Sequence, residues 1–357
     1  MPPKRASSSK RKIPESDHDS DSEGSKLKTT KKAKLQSPVP DPDAQPTNTV
    51  LPVQIRFAPR IPGTLRFSAW NVCGLATSQK KGFKFYLEAE DPDILVLTET
   101  KMNNEPVDPL LSSRYPHRYW SISEKKGYSG TAVLSNHEPL SVDKTIPGHP
   151  EPSIVKGRII TLEFENHYFI ATYVPNAGTN LKTLDVKNEW NKHFTTYIRE
   201  LDKKKPVIWT GDLNVAPTEI GTQPFVLVLV LVLGLAFDVT FTDLSNAKKN
   251  WNKTPGYTEA ETTAFRNILR PQPESEDDSE SPSEQFVDVW RDLHPNLRHY
   301  TYFSYRFSCR TKGLGWRLDT FVLSKRITEK VKMCEIRSDI YGASDHCPIT
   351  MEYEGTL

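Results

Sequence analysis

The chain has 357 residues, 36% of them hydrophobic, which is enough to bury a core for one large domain or two modest ones. Its formal net charge of +2 excludes an argument from overall charge, although Lys-Arg clusters gather at the N-terminus and acidic residues near 275–284. Four cysteines without metal-ligand spacing, and no secretory signal, point to reduced thiols in an intracellular protein and exclude a disulfide framework.

Residues 1–62 are rich in Ser, Lys, Pro and Asp and nearly devoid of aliphatic periodicity, so they read as a disordered basic tail. Lys4-Arg5, Lys10-Arg11-Lys12 and Lys31-Lys32-Ala33-Lys34 suit nuclear import, hence a nuclear location, or an accessory nucleic-acid contact. A globular domain then spans 63–357. Leu65 to Val72 alternates as a strand and runs into Cys73-Gly74, with a helix expected over Gly82 to Ala89. Asp93 to Lys101 reads as a second strand with a polar end. Further strands are expected at Tyr128–Ser135, Arg158–Phe164, Tyr168–Val174, Val207–Trp209, Arg317–Leu323 and Pro348–Tyr353. Between Leu184 and Lys203, Val186, Trp190, Phe194, Tyr197 and Leu201 fall at helical intervals.

Many strands, few helices and Pro-rich connections indicate an α/β sandwich: two mixed sheets packed face to face with helices outside. The polar strand ends then collect on one edge, bringing together Asn71, Glu99, Tyr173, Asn176, Asp212, Asn214, Asp319, Asp345 and His346. In Gly211-Asp212-Leu213-Asn214, period-two alternation puts Asp212 and Asn214 on one face if the chain stays extended; the same residues also suit a turn in which both bond their own backbone. Carboxylates at separate strand ends with Asn neighbours suit Mg²⁺, a hard cation that prefers oxygen ligands, with Glu99 the first choice. Asp319 is placed to hold one ring nitrogen of His346 and so orient or charge the imidazole.

Seven segments carry a resemblance: Ala69-Trp70-Asn71-Val72, Leu97-Thr98-Glu99-Thr100-Lys101, Gly127-Tyr128-Ser129-Gly130, Tyr173-Val174-Pro175-Asn176-Ala177-Gly178, Gly211-Asp212-Leu213-Asn214-Val215, Gly315-Trp316-Arg317-Leu318-Asp319 and Ser344-Asp345-His346-Cys347-Pro348-Ile349. In that order the chain resembles the exonuclease III-like apurinic/apyrimidinic endonucleases of eukaryotic type, within the endonuclease/exonuclease/phosphatase superfamily. The resemblance runs from about residue 64 to the C-terminus. It implies a four-layered α/β sandwich and Mg²⁺-dependent hydrolysis, with Mn²⁺ as a substitute, of the phosphodiester 5′ to an abasic site in double-stranded DNA. It further implies some 3′ phosphodiesterase or exonuclease activity, a place in base excision repair, and a monomer with no membrane association. Residue by residue, Glu99 matches the metal ligand, with Asn71 and Asp345 beside it and Asp212 and Asn214 also facing the metal region. Asp212 matches the residue that positions or deprotonates the attacking water, with Asn214 its partner at the phosphate, and His346, held by Asp319, matches the phosphate-side histidine. Tyr173 and Asn176 match phosphate contacts, and Tyr302, Trp316 and Leu318 match the pocket for the flipped sugar. Tyr128 and Lys253 complete the expected DNA contacts, Lys253 from the basic loop Lys248 to Gly256. Competing readings are another superfamily hydrolase, such as a retrotransposon-type endonuclease or a small-phosphoester phosphatase, and a catalytically impaired DNA-binding relative.

Three departures stand out. Cys73 occupies a position where relatives carry Asp or Asn, and a thiol is a poor Mg²⁺ ligand. Thr179 and Arg306 replace the Arg and Met that animal relatives insert into DNA. Residues 221–242 form a Val-Leu-rich insertion that is too short for a membrane span and too apolar for a surface loop, and we read it as an unremoved intron or a gene-model error. A second insertion, 271–284, reads as an acidic disordered loop.

Overall fold

The structure is a computed structural model that describes residues 44–217, 247–271 and 285–357. The hydrophobic insertion and nearly all of the acidic loop lie outside the described residues, as does the tail before residue 44. Strands β1 (Thr64–Asn71), β2 (Ile94–Thr98), β3 (His117–Ser121), β4 (Thr131–Ser135), β11 (Val331–Ile336) and β12 (Ile349–Glu354) form one mixed sheet in the order β11-β12-β1-β2-β4-β3. The other six, β5 (Ser141–Asp143), β6 (Ile159–Glu163), β7 (Tyr168–Tyr173), β8 (Val207–Asp212), β9 (Phe286–Asp288) and β10 (Asp319–Ser324), form a second in the order β5-β6-β7-β8-β10-β9.

Alternation along the strands explains the layering. In β1 and β2, Phe67, Ala69, Ile94 and Val96 point inward to meet Ile160, Phe169, Ala171, Ile208 and Phe321 of the facing sheet. Their sequence neighbours Trp70, Leu95 and Leu97 point outward, under Phe83, Tyr86 and Leu87 of helix α2 (Phe83–Glu90), which follows α1 (Leu75–Lys80). On the opposite outer face, Ile170, Val207 and Trp209 pack beneath Trp190, Phe194 and Ile198 of α5 (Leu184–Asp202). Two short helices, α3 (Pro109–Arg114) and α4 (Pro152–Val155), lie between the early strands, and α6 (Ala247–Asn250) precedes α7 (Glu259–Leu269). The α7 helix joins α5 over the second sheet through Phe265, Ile268 and Leu269. The expected four-layered α/β sandwich is therefore the observed architecture.

The strands missed in the sequence are short, marginal or irregular. β5 and β9 have three residues each, β3 forms one edge of its sheet, and the pairing of β11 with β12 shifts register between Val331 and Met333, which breaks the two-residue period. The α7 helix was missed although its start carries a signal, since Thr258-x-x-Glu261 is a capping box: Thr258 Oγ1 accepts from the Glu261 amide and the Glu261 carboxylate accepts from the Thr258 amide.

The expected tail boundary at residue 62 needs correction. Residues 44–62 lie along the domain, with Leu51 buried and Ile55 and Phe57 packed on the outer cluster around Trp70 and Tyr86. Three apolar side chains spaced through a Pro-rich segment give no periodicity to read, yet they suffice to dock an extended chain on a preformed apolar surface.

One buried histidine makes a pH test of the core. His167 is 2% exposed, with Nε2 2.8 Å from the Tyr353 hydroxyl. Burial, with a smaller contribution from Lys330, lowers its pKa from 6.5 to about 4. The unfolded chain thus takes up a proton that the folded one refuses, so stability is full above pH 6.5 and declines as pH falls from 6.5 to 4. The loss is expected to reach about 3 kcal/mol. His167→Gln should flatten that limb of a Tm-against-pH curve, and an unchanged slope would refute the assignment.

Candidate active site

The two sheets present their functional ends on the same edge. In the second sheet Tyr173 pairs with Asp212 across the parallel β7–β8 contact, and Asp319 pairs with Asp212 across the antiparallel β10–β8 contact, so three site residues share one row. Gly211 makes the approach possible: with φ 131°, a Cβ there would stand 2.0 Å from the Thr172 carbonyl oxygen. β1 ends at Asn71 and β2 at Thr98, after which Glu99 turns out of the strand with φ 50°.

Asp212 does not continue as an extended strand to Asn214. The strand stops at Asp212, Asn214 takes a left-handed φ of 49°, and its amide donates to Asp212 Oδ1 at 2.9 Å. The turn and the shared site are thus one arrangement. Asp212 Oδ2 accepts from Asn71 Nδ2 at 2.9 Å, while Asn214 Oδ1 accepts from Asn176 Nδ2 at 2.9 Å and Asn214 Nδ2 donates to the Val174 carbonyl at 2.8 Å. Every polar atom of Asn214 is fixed, and its carbonyl accepts from Lys187 Nζ at 2.5 Å. Lys187 was not anticipated, because a lysine within an amphipathic helix reads as part of a solvated face.

Beside Asp212 lies the expected His346–Asp319 pair, with Nδ1 2.7 Å from Asp319 Oδ2. Possible ligand atoms of Asp212, Asp319 and His346 lie within 4.8 Å of one another. Burial opposes charge on the imidazole, but Asp319, Asp212 and Asp345 outweigh it and raise its pKa, so the ring is imidazolium at neutral pH. Burial and the neighbouring Asp319 raise the Asp212 pKa above the usual carboxylate range.

A second group flanks the first. Tyr173 donates its hydroxyl to Glu99 Oε1 at 2.5 Å, and the Lys101 ammonium lies 2.9 Å from Glu99 Oε2. Although burial works against it, these two partners hold Glu99 below its ordinary pKa and keep it ionised. Lys101 Nζ is also 3.6 Å from Cys73 Sγ, and burial together with Asp345 and Glu99 pushes the thiol up to about 11. Cys73 is a neutral thiol here. The donor chemistry of Glu99, Asn71 and Asp345, all oxygen and partly ionised, fits a hard divalent cation. The Asp212–Asp319–His346 trio is more compact, and each group already carries a cation, the His346 imidazolium in the trio and the Lys101 ammonium on Glu99.

The remaining expected residues divide. Tyr302 bridges in the chain both to Trp316 and to His346, its ring centroid 4.9 Å from the imidazole, and Trp316, Leu318 and Tyr302 join Trp251 and Tyr257 in one apolar cluster. Tyr128, 44% exposed, accepts from Arg158 Nη2 at 2.9 Å; that guanidinium also donates to the Tyr173 carbonyl and covers both tyrosine rings. Arg158 was missed because a lone Arg at a strand start carries no pattern. Lys253 is exposed on its loop, and it is Trp251 of that loop that reaches the apolar cluster.

Comparison with known proteins agrees with this geometry. The profile of the endonuclease/exonuclease/phosphatase family matches residues 68–346. The chain is 38% identical over 289 residues to an exodeoxyribonuclease of Bacillus subtilis, covering 80% of this chain and 98% of that protein. It is 35% identical over 288 residues to a DNA-(apurinic or apyrimidinic site) endonuclease of Dictyostelium discoideum, covering 80% and 69%. Among solved structures, an AP endonuclease from Archaeoglobus fulgidus superposes with a TM-score of 0.63 at 24% identity, covering 82% of this chain and all of that one.

Proposed function

This chain belongs to the endonuclease/exonuclease/phosphatase family, and from that premise we propose that it is a DNA-(apurinic or apyrimidinic site) endonuclease of DNA base excision repair. It hydrolyses the phosphodiester 5′ to an abasic site with Mg²⁺ and works as a nuclear monomer. The observation that carries the reading is the convergence of Asp212, the His346–Asp319 pair and ionised Glu99 on one edge beside an apolar cluster of Tyr302, Trp316 and Leu318. Relatives named for abasic-site and exodeoxyribonuclease activity support it, and the second name supports an exonuclease activity at the same centre. No described helix is long and apolar enough to cross a membrane.

In the mechanism, Asp212 orients the attacking water and accepts its proton, which a raised pKa favours. The His346 imidazolium, charged by Asp319, neutralises a phosphate oxygen, and Asn176 and Asn214, each with one side-chain N–H engaged by Asn214 Oδ1 and the Val174 carbonyl, offer their second N–H to the same group. Phosphoryl transfer needs placement and charge neutralisation more than covalent help, and these groups supply both. A divalent ion held by Glu99, with Asn71 and Asp345, would stabilise charge on the leaving oxygen. The apolar cluster admits a baseless sugar more readily than a full nucleotide.

An incision assay on a defined abasic duplex tests the reading: cleavage with Mg²⁺, loss with chelator, and little cutting of the undamaged duplex are expected. Equal cutting of both duplexes would sink it. Cys73→Asp adds a carboxylate beside Lys101 and Glu99 and should lower the half-saturating Mn²⁺ concentration in calorimetric titration roughly threefold or more; unchanged metal binding would show that position 73 does not face the ion.

A further inference from the structure

The segment before residue 63 does more than cover an apolar face. The Gln45 side chain pairs with the backbone of Tyr300 as a strand would: Oε1 accepts from the Tyr300 amide at 2.7 Å and Nε2 donates to its carbonyl at 2.9 Å, with a second donation to Ser338 Oγ at 2.9 Å. Three residues on, Asn48 offers two oxygens to Arg310: the carbonyl accepts from Nε at 3.2 Å and Oδ1 from Nη2 at 2.8 Å. Asn48 Nδ2 in turn donates to the Asp339 carbonyl at 2.9 Å. The chain then crosses Gly342 so closely that a Cβ there, at φ +108°, would stand 2.9 Å from the backbone of Thr49, Val50 and Leu51.

What these contacts hold is the strip that carries Tyr302 and faces Trp316 of the apolar cluster. Tyr300 leads into Thr301 and Tyr302, whose amides both donate to the Trp316 carbonyl, while the Trp316 amide donates back to Tyr302. Thr301 accepts from the Cys347 amide, and the Phe303 amide donates to the Asp345 carbonyl, so the same strip fixes the His346 segment. Arg310, 2% exposed, lies between the rings of Phe303 and Tyr341 and donates to the Ser338 carbonyl at 2.5 Å. Gln45 grips the start of the 300–316 loop and Asn48 grips Arg310 within it.

We propose that residues 45–51 are a brace that positions the 300–316 loop, and with it Tyr302 and Trp316, against His346. On the abasic-site reading above, the brace sets how well the pocket is formed before substrate arrives, so its loss weakens substrate capture rather than the chemical step. Gln45 and Asn48 are partly exposed, so replacing them leaves the core intact.

The test uses the full chain carrying Gln45→Ala and Asn48→Ala together, and a second form lacking residues 1–43. In the double variant, hydrogen exchange at the amides of Tyr300, Thr301, Tyr302 and Trp316 should accelerate by about tenfold. KM for an abasic duplex should rise by about tenfold with kcat within about twofold, since the lost interactions shape ground-state binding. The form lacking 1–43 should match the parent in both. Parental exchange rates in the double variant would overturn the brace, and so would an unchanged KM. If the parent did not cut abasic DNA at all, the function reading would fail on that result alone, while the exchange measurement would still decide the brace.

Discussion

Asp212→Asn is expected to lower kcat for incision of an abasic duplex by about a thousandfold, the middle of the range for removing a general base, while the duplex is still bound in the presence of chelator. Asp212 is 2% exposed and accepts two hydrogen bonds, from Asn71 Nδ2 and the Asn214 amide. An Asn side chain has one oxygen for those two donors, so one bond is lost, at a cost of about 1 kcal/mol in stability. That is too small to unfold the protein, and a Tm measurement separates it from the catalytic effect. The replacement also removes a charge facing Asp319, which relieves repulsion. Because burial and Asp319 raise the Asp212 pKa, the base form is lost at a higher pH than for an ordinary carboxylate. The parental kcat/KM should therefore fall as pH drops below neutrality, and the residual activity of the variant should lack that limb. A variant that cut at the parental rate would remove Asp212 from the mechanism.

Much of this centre was legible because its members sit at the ends of strongly apolar strands. Val207 to Trp209 and Ile94 to Thr98 mark their own boundaries, and Asp212 and Glu99 follow directly. The His346–Asp319 bond could be anticipated because both residues stand in short ordered motifs. What sequence could not show is which way the chain leaves a strand. The left-handed conformation of Glu99 turns it toward Tyr173 of the other sheet and that of Asn214 sets its side chain against Asn176 and Val174 of its own, and nothing in their identity demands it. Arg158, Lys187, Gln45, Asn48 and Arg310 stayed hidden for a different reason. Each acts through backbone carbonyls or amides remote in sequence, and a carbonyl leaves no mark on residue type.

Lys187 gives the second large effect, and separates folding from function. Its ammonium is 1% exposed, donates to the Asn214 carbonyl and lies 2.7 Å from Glu261 Oε1. Glu261 also accepts from the amides of Gly256 and Thr258, and the Gly256 carbonyl accepts from the Ala216 amide. One buried charge pair thus joins the Asp212–Asn214 turn to the loop carrying Trp251 and to the start of α7. Burial works to lower the Lys187 pKa and Glu261 works to raise it, so neither charge is tolerable alone. Lys187→Met leaves the carboxylate buried without its cation and should cost about 3–5 kcal/mol of stability. Lys187→Met combined with Glu261→Gln removes both charges and should recover most of that loss in denaturant unfolding. Incision should not recover with it, because the Asn214 carbonyl still lacks its donor and the turn that sets Asn214 against Asp212 is freed on that side. A double variant that regained parental kcat along with stability would reduce the pair to a packing element, whereas stability without kcat assigns Lys187 to positioning Asn214.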